Sequence, residues 1–137
     1  MSKMILGIAL IVVALAVITI PMFTDCQSQG KSIALANGKT VPMKCHWSGV
    51  AEIVAGVPLG LVGLGLVFTK KKTGLTILSS FGMVMGIFIV LIPNSLIGVC
   101  TSGMLCETVM KPSLTVLGSV GIIGTLGGLL VARKAAP

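Results

Sequence analysis

The chain has 137 residues, of which 55% are hydrophobic and 9% charged, with a mean hydropathy of +1.12 and a formal net charge of +7. An average soluble domain carries about 25% charged residues, so this composition excludes an ordinary soluble domain and predicts a membrane protein. The positive charge does not indicate a nucleic-acid partner, because the basic residues lie between apolar segments and form no single patch.

Four apolar segments are long enough to cross a hydrocarbon core of about 30 Å. They cover residues 4–23, 49–68, 75–99 and 114–132, and they leave loops at 24–47 and 100–113. The sequence therefore predicts an all-α membrane protein with a single four-helix transmembrane domain over residues 1–137. The first segment is interpreted as a span because its apolar run of about 20 residues exceeds the 7–15 of a signal-peptide core.

The basic residues favour one orientation in the membrane. Lys3, Lys70–Lys72 and Arg133-Lys134 fall on the same side of the four spans, and the positive-inside rule makes that side cytoplasmic. Against these six basic residues, four lysines fall on the other side, together with all four cysteines. We predict that both termini face the cytoplasm, and that the protein is a multi-pass protein of the cytoplasmic membrane.

The loop between the first two spans predicts a short β-hairpin. Asn37-Gly38 is a preferred pair for a two-residue type I′ turn, and it separates Ser32–Ala36 from Lys39–Met43, which have strand character. An isolated two-stranded hairpin is marginally stable in water, and Cys26 and Cys45 bracket this one. A disulfide between them would close a loop of about 20 residues and contribute about 3 kcal/mol in the loop-entropy model.

The even number of cysteines on the oxidising side predicts two disulfides. The first is Cys26–Cys45, and the second joins Cys100 to Cys106 around Gly103. Cross-pairing of the two loops, Cys45 with Cys100 or Cys106, is the alternative. It would link the second span to the third or fourth.

Glu52 lies within the second span, where an acidic residue is costly and suggests a function. If the helix is continuous from Cys45, then Cys45, Ser48 and Glu52 lie on one face. We predict a small polar pocket that opens toward the cysteine side. Its residues are Glu52, His46, Asn94 and Ser95. The alternative is structural, with Glu52 reaching interfacial water or a neighbouring polar group.

The same end of the chain also suggests a soft-metal site or a redox site. Thioether and thiolate ligands select Cu(I), provided that the cysteines are reduced. The candidate metal ligands are Met43, Cys45, His46, Met104 and Cys106. Zinc is less favoured because the sequence has no close C-x-x-C or H-x-x-H pair. Thiol–disulfide exchange with a membrane quinone is a further hypothesis, although the C-x-x-C spacing typical of a reactive pair is again missing.

Several short motifs together resemble a known family. Met43-x-Cys45-His46-Trp47 leads into the span that carries Glu52, and Pro93-Asn94-x3-Gly98-x-Cys100 and Met104-x-Cys106 come later. This combination resembles a family of small four-helix bacterial and archaeal membrane proteins catalogued as a domain of unknown function, and the resemblance covers the whole chain. It implies four spans with paired outer cysteines and a setting beside ABC-type export permeases, with no established activity.

Glycines on the helix faces indicate the function class that the sequence favours. The third span contains Gly82-x-x-x-Gly86, and the fourth carries glycines at intervals of three, which allow close helix packing. The glycines of the fourth span are Gly118, Gly121, Gly124 and Gly127. We expect a structural or accessory subunit that packs in the lipid bilayer with itself, as a homo-oligomer, or with an ABC-type permease. No catalytic motif is present, so we expect no enzyme activity and no cofactor.

Overall fold

Four long helices and a two-stranded sheet make up the part of the chain that the computed structural model describes, residues 2–101 and 103–134, with side chains from Lys3 onward. The ends of the predicted domain, residue 1 and residues 135–137, lie outside the described residues. The helices are α1 (Ser2–Thr24), α2 (Lys44–Phe68), α3 (Lys72–Leu91) and α4 (Lys111–Lys134). The strands are β1 (Ile33–Ala34) and β2 (Thr40–Val41), and two π-helical turns cover Ile92–Leu96 and Cys106–Met110.

All four helical stretches are long and apolar enough to cross a membrane. With their π-helical turns included they have 22 to 29 residues, and at about 1.5 Å per residue even the shortest is about 33 Å long. The predicted fold class, four membrane helices with a short hairpin between the first two, is confirmed. The chain is a multi-pass membrane protein, and its orientation stays a prediction. We call the end that carries the four cysteines the cysteine end and the opposite one the lysine end.

The helices extend further into the cysteine end than the apolar segments predict. Helix α2 begins at Lys44, whereas the apolar segment begins at residue 49. Helical backbone also begins at Cys106, so that much of the predicted loop 100–113 is helical. The prediction counted apolar residues only, and a helix can continue past the hydrocarbon region because its backbone hydrogen bonds form equally well at the interface.

The hairpin is present, but its turn differs from the predicted one. Ile33 pairs with Val41 and Ala34 with Thr40. A type I′ turn requires positive φ at both central residues, whereas Gly38 has φ +76° and Asn37 does not have positive φ. The Gly38 N–H donates to the Leu35 carbonyl and the Leu35 N–H donates to the Lys39 carbonyl. The connection is therefore a three-residue loop with a left-handed glycine at its end.

The bundle is assembled from two closely packed helix pairs, α1 with α2 and α3 with α4. Glycines allow the close approach: a Cβ added at Gly63 would lie 2.8 Å from the Gly7 carbonyl oxygen, and one added at Gly118 would lie 3.1 Å from the Gly86 carbonyl oxygen. The largest apolar side chains buried in the bundle are Leu10, Val17, Leu59, Val62, Leu66, Ile89, Met110 and Leu114. The glycine faces thus contact helices of the same chain. Assembly with a second copy or with a permease stays a prediction.

Candidate functional site

The four cysteines converge at the cysteine end because each lies at a helix end there. Cys26 follows α1, Cys45 lies in the first turn of α2, Cys100 follows the π-helical turn after α3, and Cys106 begins the π-helical turn before α4. In an antiparallel bundle of four helices these ends come together. The sequence placed all four cysteines on one side, and the structure brings them into contact.

One disulfide joins Cys26 to Cys45, which is the first predicted pairing. The second predicted pairing is wrong for this structure, because Cys100 and Cys106 are free. The Cys100 Sγ lies 3.5 Å from the Cys45 Sγ, and the Cys106 Sγ lies 3.4 Å from the Cys26 Sγ. Each sulfur of the disulfide therefore has a thiol in contact with it. The sulfurs in contact are thus those that the cross-pairing alternative would join, although no bond connects them here.

A fifth sulfur completes what we call the sulfur cluster, which consists of Cys26, Cys45, Cys100, Cys106 and Met104. The Met104 Sδ lies 3.7 Å from the Cys26 Sγ. The cysteines at 26, 45 and 106 are fully buried, whereas Cys100 is partly exposed. A reagent from solution therefore meets Cys100 first.

The turn that carries Cys100 toward the cluster is built around Gly98. The N–H groups of Ile97 and Gly98 both donate to the Ile92 carbonyl over 3.1 Å, which ends the helical stretch after α3. Gly98 has φ +77°, a conformation that other residues adopt only at a cost. Its carbonyl accepts a 2.5 Å hydrogen bond from the Ser48 hydroxyl of α2. This bond fixes the start of the 98–101 segment against α2, one turn from Cys45.

A hydrogen-bonded pair of a carboxylate and an imidazole lies directly beside the disulfide. The Asp25 Oδ2 is 2.8 Å from the His46 Nδ1, and these residues are the chain neighbours of Cys26 and Cys45. Burial raises the pKa of the Asp25 carboxyl, but hydrogen bonds from His46 and from Ser28, whose N–H donates over 2.7 Å, outweigh it, so the pKa is lowered. The Asp25 carboxylate therefore holds the loop on the first turn of α2. His46, a predicted metal ligand, uses its Nδ1 in this pair.

Sequence reasoning did not identify Asp25 as a functional residue. A signal was nevertheless present, since Asp25-Cys26 and Cys45-His46 are both adjacent pairs. Once the two cysteines are paired, their neighbours come within reach of each other, and an acid and an imidazole form a favourable contact.

Glu52 is fully buried, and neither of its carboxylate oxygens has a hydrogen-bond partner among the described residues. It shares its helix face with Cys45 and Ser48, which are buried as well, as their spacing predicts. The other predicted members of the polar pocket lie elsewhere. Asn94 and Ser95 are exposed, and the Asn94 side chain donates to the Val90 carbonyl and to the Thr115 hydroxyl.

The predicted metal ligands are only partly assembled. Cys45, Cys106 and Met104 belong to the sulfur cluster, whereas Met43 is half-buried against the apolar core. Cys26 and Cys100, which were left out of the predicted ligand set, do belong to the cluster. The Sγ atoms of Cys26, Cys45 and Cys100 lie within 4.8 Å of one another.

Fold and site together define a four-span membrane protein with a buried sulfur cluster at one end of its bundle. A family model described as a domain of unknown function (DUF4418) matches residues 5–131. The chain therefore belongs to this family, as its motifs suggested. No curated protein and no solved structure matches the chain.

Proposed function

We propose that this protein carries out thiol–disulfide exchange at the surface of the cytoplasmic membrane, with its cysteine end on the oxidising side. The single observation that carries the proposal is the contact of a free thiol with each sulfur of the Cys26–Cys45 disulfide, at 3.5 Å and 3.4 Å. These separations meet the distance requirement for attack, about 3–3.5 Å. Attack also requires the three sulfurs to lie in line, so Cys100, whose Sγ is within 4.8 Å of the Cys26 Sγ, must first shift away from Cys26. The excess of basic residues at the lysine end supports the orientation.

The first step is an exchange within the cluster. The Cys100 thiolate attacks the Cys45 Sγ, the Cys45–Cys100 bond forms, and the Cys26–Cys45 bond breaks. The electron pair of the broken bond leaves on the Cys26 Sγ, which takes up the proton that Cys100 lost. The number of disulfides is unchanged, and the bond now includes the partly exposed Cys100.

The second step transfers electrons from a partner dithiol. One partner thiolate attacks the Cys100 Sγ and releases Cys45 as a thiol, which gives a mixed disulfide. The second partner thiolate then attacks the partner sulfur that is bonded to Cys100, and Cys100 is released as a thiol. The partner becomes a disulfide, and the cluster gains two electrons and two protons. The reverse sequence, starting from a partner disulfide, restores the original state.

Reduction kinetics of the purified protein in detergent micelles test this route. A small dithiol is added, samples are blocked with a maleimide, and mass spectrometry follows loss of the Cys26–Cys45 bond. Cys100→Ser removes the only partly exposed cysteine of the cluster, so we expect reduction to slow at least about tenfold, because a buried disulfide is then reached only by opening of the fold. Thr101→Ser, an exposed neighbour without sulfur, is the matched control and should react at the wild-type rate. Equal rates for Cys100→Ser and wild type would overturn the proposal.

A second measurement tests the internal contacts directly. In Cys45→Ser the Cys26 thiol has lost its partner and lies next to Cys106, so mild oxidation should give a Cys26–Cys106 disulfide. In Cys26→Ser it should give Cys45–Cys100. Peptide mapping of the unreduced variants identifies the pairs. If both variants stay fully reduced, or cross-link only between molecules, the contacts do not support exchange.

A further inference from the structure

We infer that the reduced sulfur cluster is a tetrahedral four-thiolate site for a d10 metal cation, and that Zn²⁺ is the ion that it fits. Zinc in a four-cysteine site has Zn–S bonds of about 2.3 Å, which place neighbouring sulfurs about 3.8 Å apart. The thiol–disulfide contacts of 3.4 Å and 3.5 Å are within a few tenths of an ångström of that spacing. The Sγ atoms of Cys26, Cys45 and Cys100 already lie within 4.8 Å of one another. Cys106 lies outside that group and contacts Cys26, so it must move toward the other two sulfurs to become the fourth ligand.

Reduction supplies the remaining two ligands. A dithiol delivers two electrons and two protons to the Cys26–Cys45 bond, and the two sulfurs then separate to the distance of non-bonded atoms. Four thiols and one Zn²⁺ give a tetrathiolate complex and release up to four protons. The inference rests on the proposed function only in requiring that this disulfide can be reduced while the chain stays folded.

The ligand set differs from the one that the sequence suggests. The pairing of the His46 Nδ1 with Asp25 at 2.8 Å leaves its other ring nitrogen open, but His46 lies outside the group of donor atoms that are within 4.8 Å of one another. Met43 packs on the apolar core, so neither residue is assigned to the metal. Cys26 and Cys100 take their places. Met104 lies 3.7 Å from the Cys26 Sγ, and its thioether is a ligand for Cu⁺ more than for Zn²⁺.

The local fold also stabilises the net negative charge of four thiolates around a divalent ion. Cys45 lies in the first turn of α2, a helix of 25 residues, where the macrodipole favours negative charge. The site is closed on three sides by buried cysteines and opens at Cys100, which provides an entry path for the ion. Because the same sulfurs form the disulfide, oxidation and metal binding exclude each other. Oxidation of the cluster would thus release the metal.

Cobalt(II) titration of the reduced protein tests the site. The protein in detergent micelles is reduced with a phosphine, freed of reductant and titrated anaerobically with Co²⁺, whose visible bands report tetrahedral geometry and whose near-ultraviolet charge-transfer intensity reports the number of thiolates. We expect one Co²⁺ per chain with four thiolates, displaced by one equivalent of Zn²⁺. The oxidised protein should show none of these bands. Phosphine reduction needs no partner, so failed exchange kinetics and failed metal binding are separate results.

Variants identify the ligands. Cys106→Ser should weaken Zn²⁺ binding more than about 100-fold, because loss of an outer-shell partner alone costs about 10–100-fold. His46→Gln should leave the four-thiolate spectrum and stoichiometry unchanged. Circular dichroism confirms that each variant is folded, and Cys100→Ser, at the partly exposed position, provides a second ligand deletion if Cys106→Ser does not fold.

Three results would overturn the inference. The first is a folded, reduced protein that binds neither Co²⁺ nor Zn²⁺. The second is binding that His46→Gln abolishes, which would return the site to the ligand set suggested by the sequence. The third is tight binding of Cu⁺ alone with loss on Met104→Leu, which would show a thioether site and no tetrathiolate.

Discussion

Replacing Glu52 with Met should stabilise the protein. Glu52 is 0% exposed, and both of its oxygens lack a hydrogen-bond partner among the residues described. A buried polar group without a partner costs about 1–3 kcal/mol. Met is unbranched and of similar length, and it fills the same space without polar atoms. We therefore expect Glu52→Met to raise the free energy of unfolding by about 1–3 kcal/mol.

The assay is equilibrium unfolding by a denaturant in mixed detergent micelles, followed by circular dichroism. The free energies of unfolding are compared between variants whose dependence on denaturant concentration is the same. Ser48→Ala is the matched control, because Ser48 lies one turn away on the same buried face and has a partner, the Gly98 carbonyl. Loss of this hydrogen bond in Ser48→Ala should lower the free energy of unfolding by about 1 kcal/mol. Glu52→Gln keeps polar atoms at the site and should fall between wild type and Glu52→Met.

The opposite result would be informative. If Glu52→Met destabilises by more than about 1 kcal/mol, then the carboxyl has a partner in the membrane protein, such as water or a bound group, and the reasoning from an unpartnered acid is wrong. A stable Glu52→Met protein that no longer exchanges thiols would separate the two questions. It would show a carboxyl retained for function at a cost in stability.

Three further predictions follow from the structure. Because the pKa of Asp25 is lowered in the fold, its carboxylate stabilises the protein above the ordinary Asp pKa of 3.8, and this contribution is lost as the pH falls through the lowered value. Asp25→Asn should therefore reduce the fall of the unfolding free energy at acid pH. An unchanged dependence on pH would deny the role of the contact with His46. Gly63→Ala places a Cβ 2.8 Å from a backbone oxygen of α1 and should destabilise by about 1–3 kcal/mol, whereas Gly121→Ala meets only a side-chain carbon at 3.7 Å and should be neutral or stabilising by up to about 1 kcal/mol. A cysteine introduced at Thr73, in a chain whose free Cys100 and Cys106 are replaced by serine, should react with an impermeant maleimide only in permeabilised cells; labelling in intact cells would reverse the proposed orientation.

The sequence alone was sufficient to predict the fold class because hydrophobic length is a local property. Four apolar segments and one Asn-Gly pair predict four helices and a hairpin, and all are present. The turn type was missed because Asn37 and Gly38 fit two hairpin geometries, and pairing of Leu35 with Lys39 selects the three-residue one. Helix ends were missed for a related reason, since hydropathy marks the hydrocarbon region and not the extent of helical hydrogen bonding.

The polar pocket could not be predicted in the same way because it depends on rotation of one helix relative to another. Residue counting places Glu52 and Asn94 at similar depth, because Glu52 follows Cys45 by about as many residues as Asn94 precedes Cys100. Whether two side chains at one depth meet depends on which faces pack, and here Asn94 is turned toward Thr115 of α4 while Glu52 faces the interior. Within α2 the prediction needed only the helical period, and Ser48 and Glu52 do share their face.

The cysteine pairing shows where local reasoning stops. Four cysteines allow three connectivities, and loop closure favours the two between chain neighbours, Cys26–Cys45 and Cys100–Cys106. Helix packing has an effect that loop length does not describe. At the cysteine end, α1 lies beside the start of α4, and α2 lies beside the end of α3. The contacts of Cys26 with Cys106 and of Cys45 with Cys100 follow from this packing. A fully oxidised chain would therefore join α1 to α4 and α2 to α3, so that the two helix pairs are covalently linked. This form requires one exchange and a two-electron oxidant, and both of its sulfur pairs are already in contact. Peptide mapping after complete oxidation distinguishes it from a form with a Cys100–Cys106 bond.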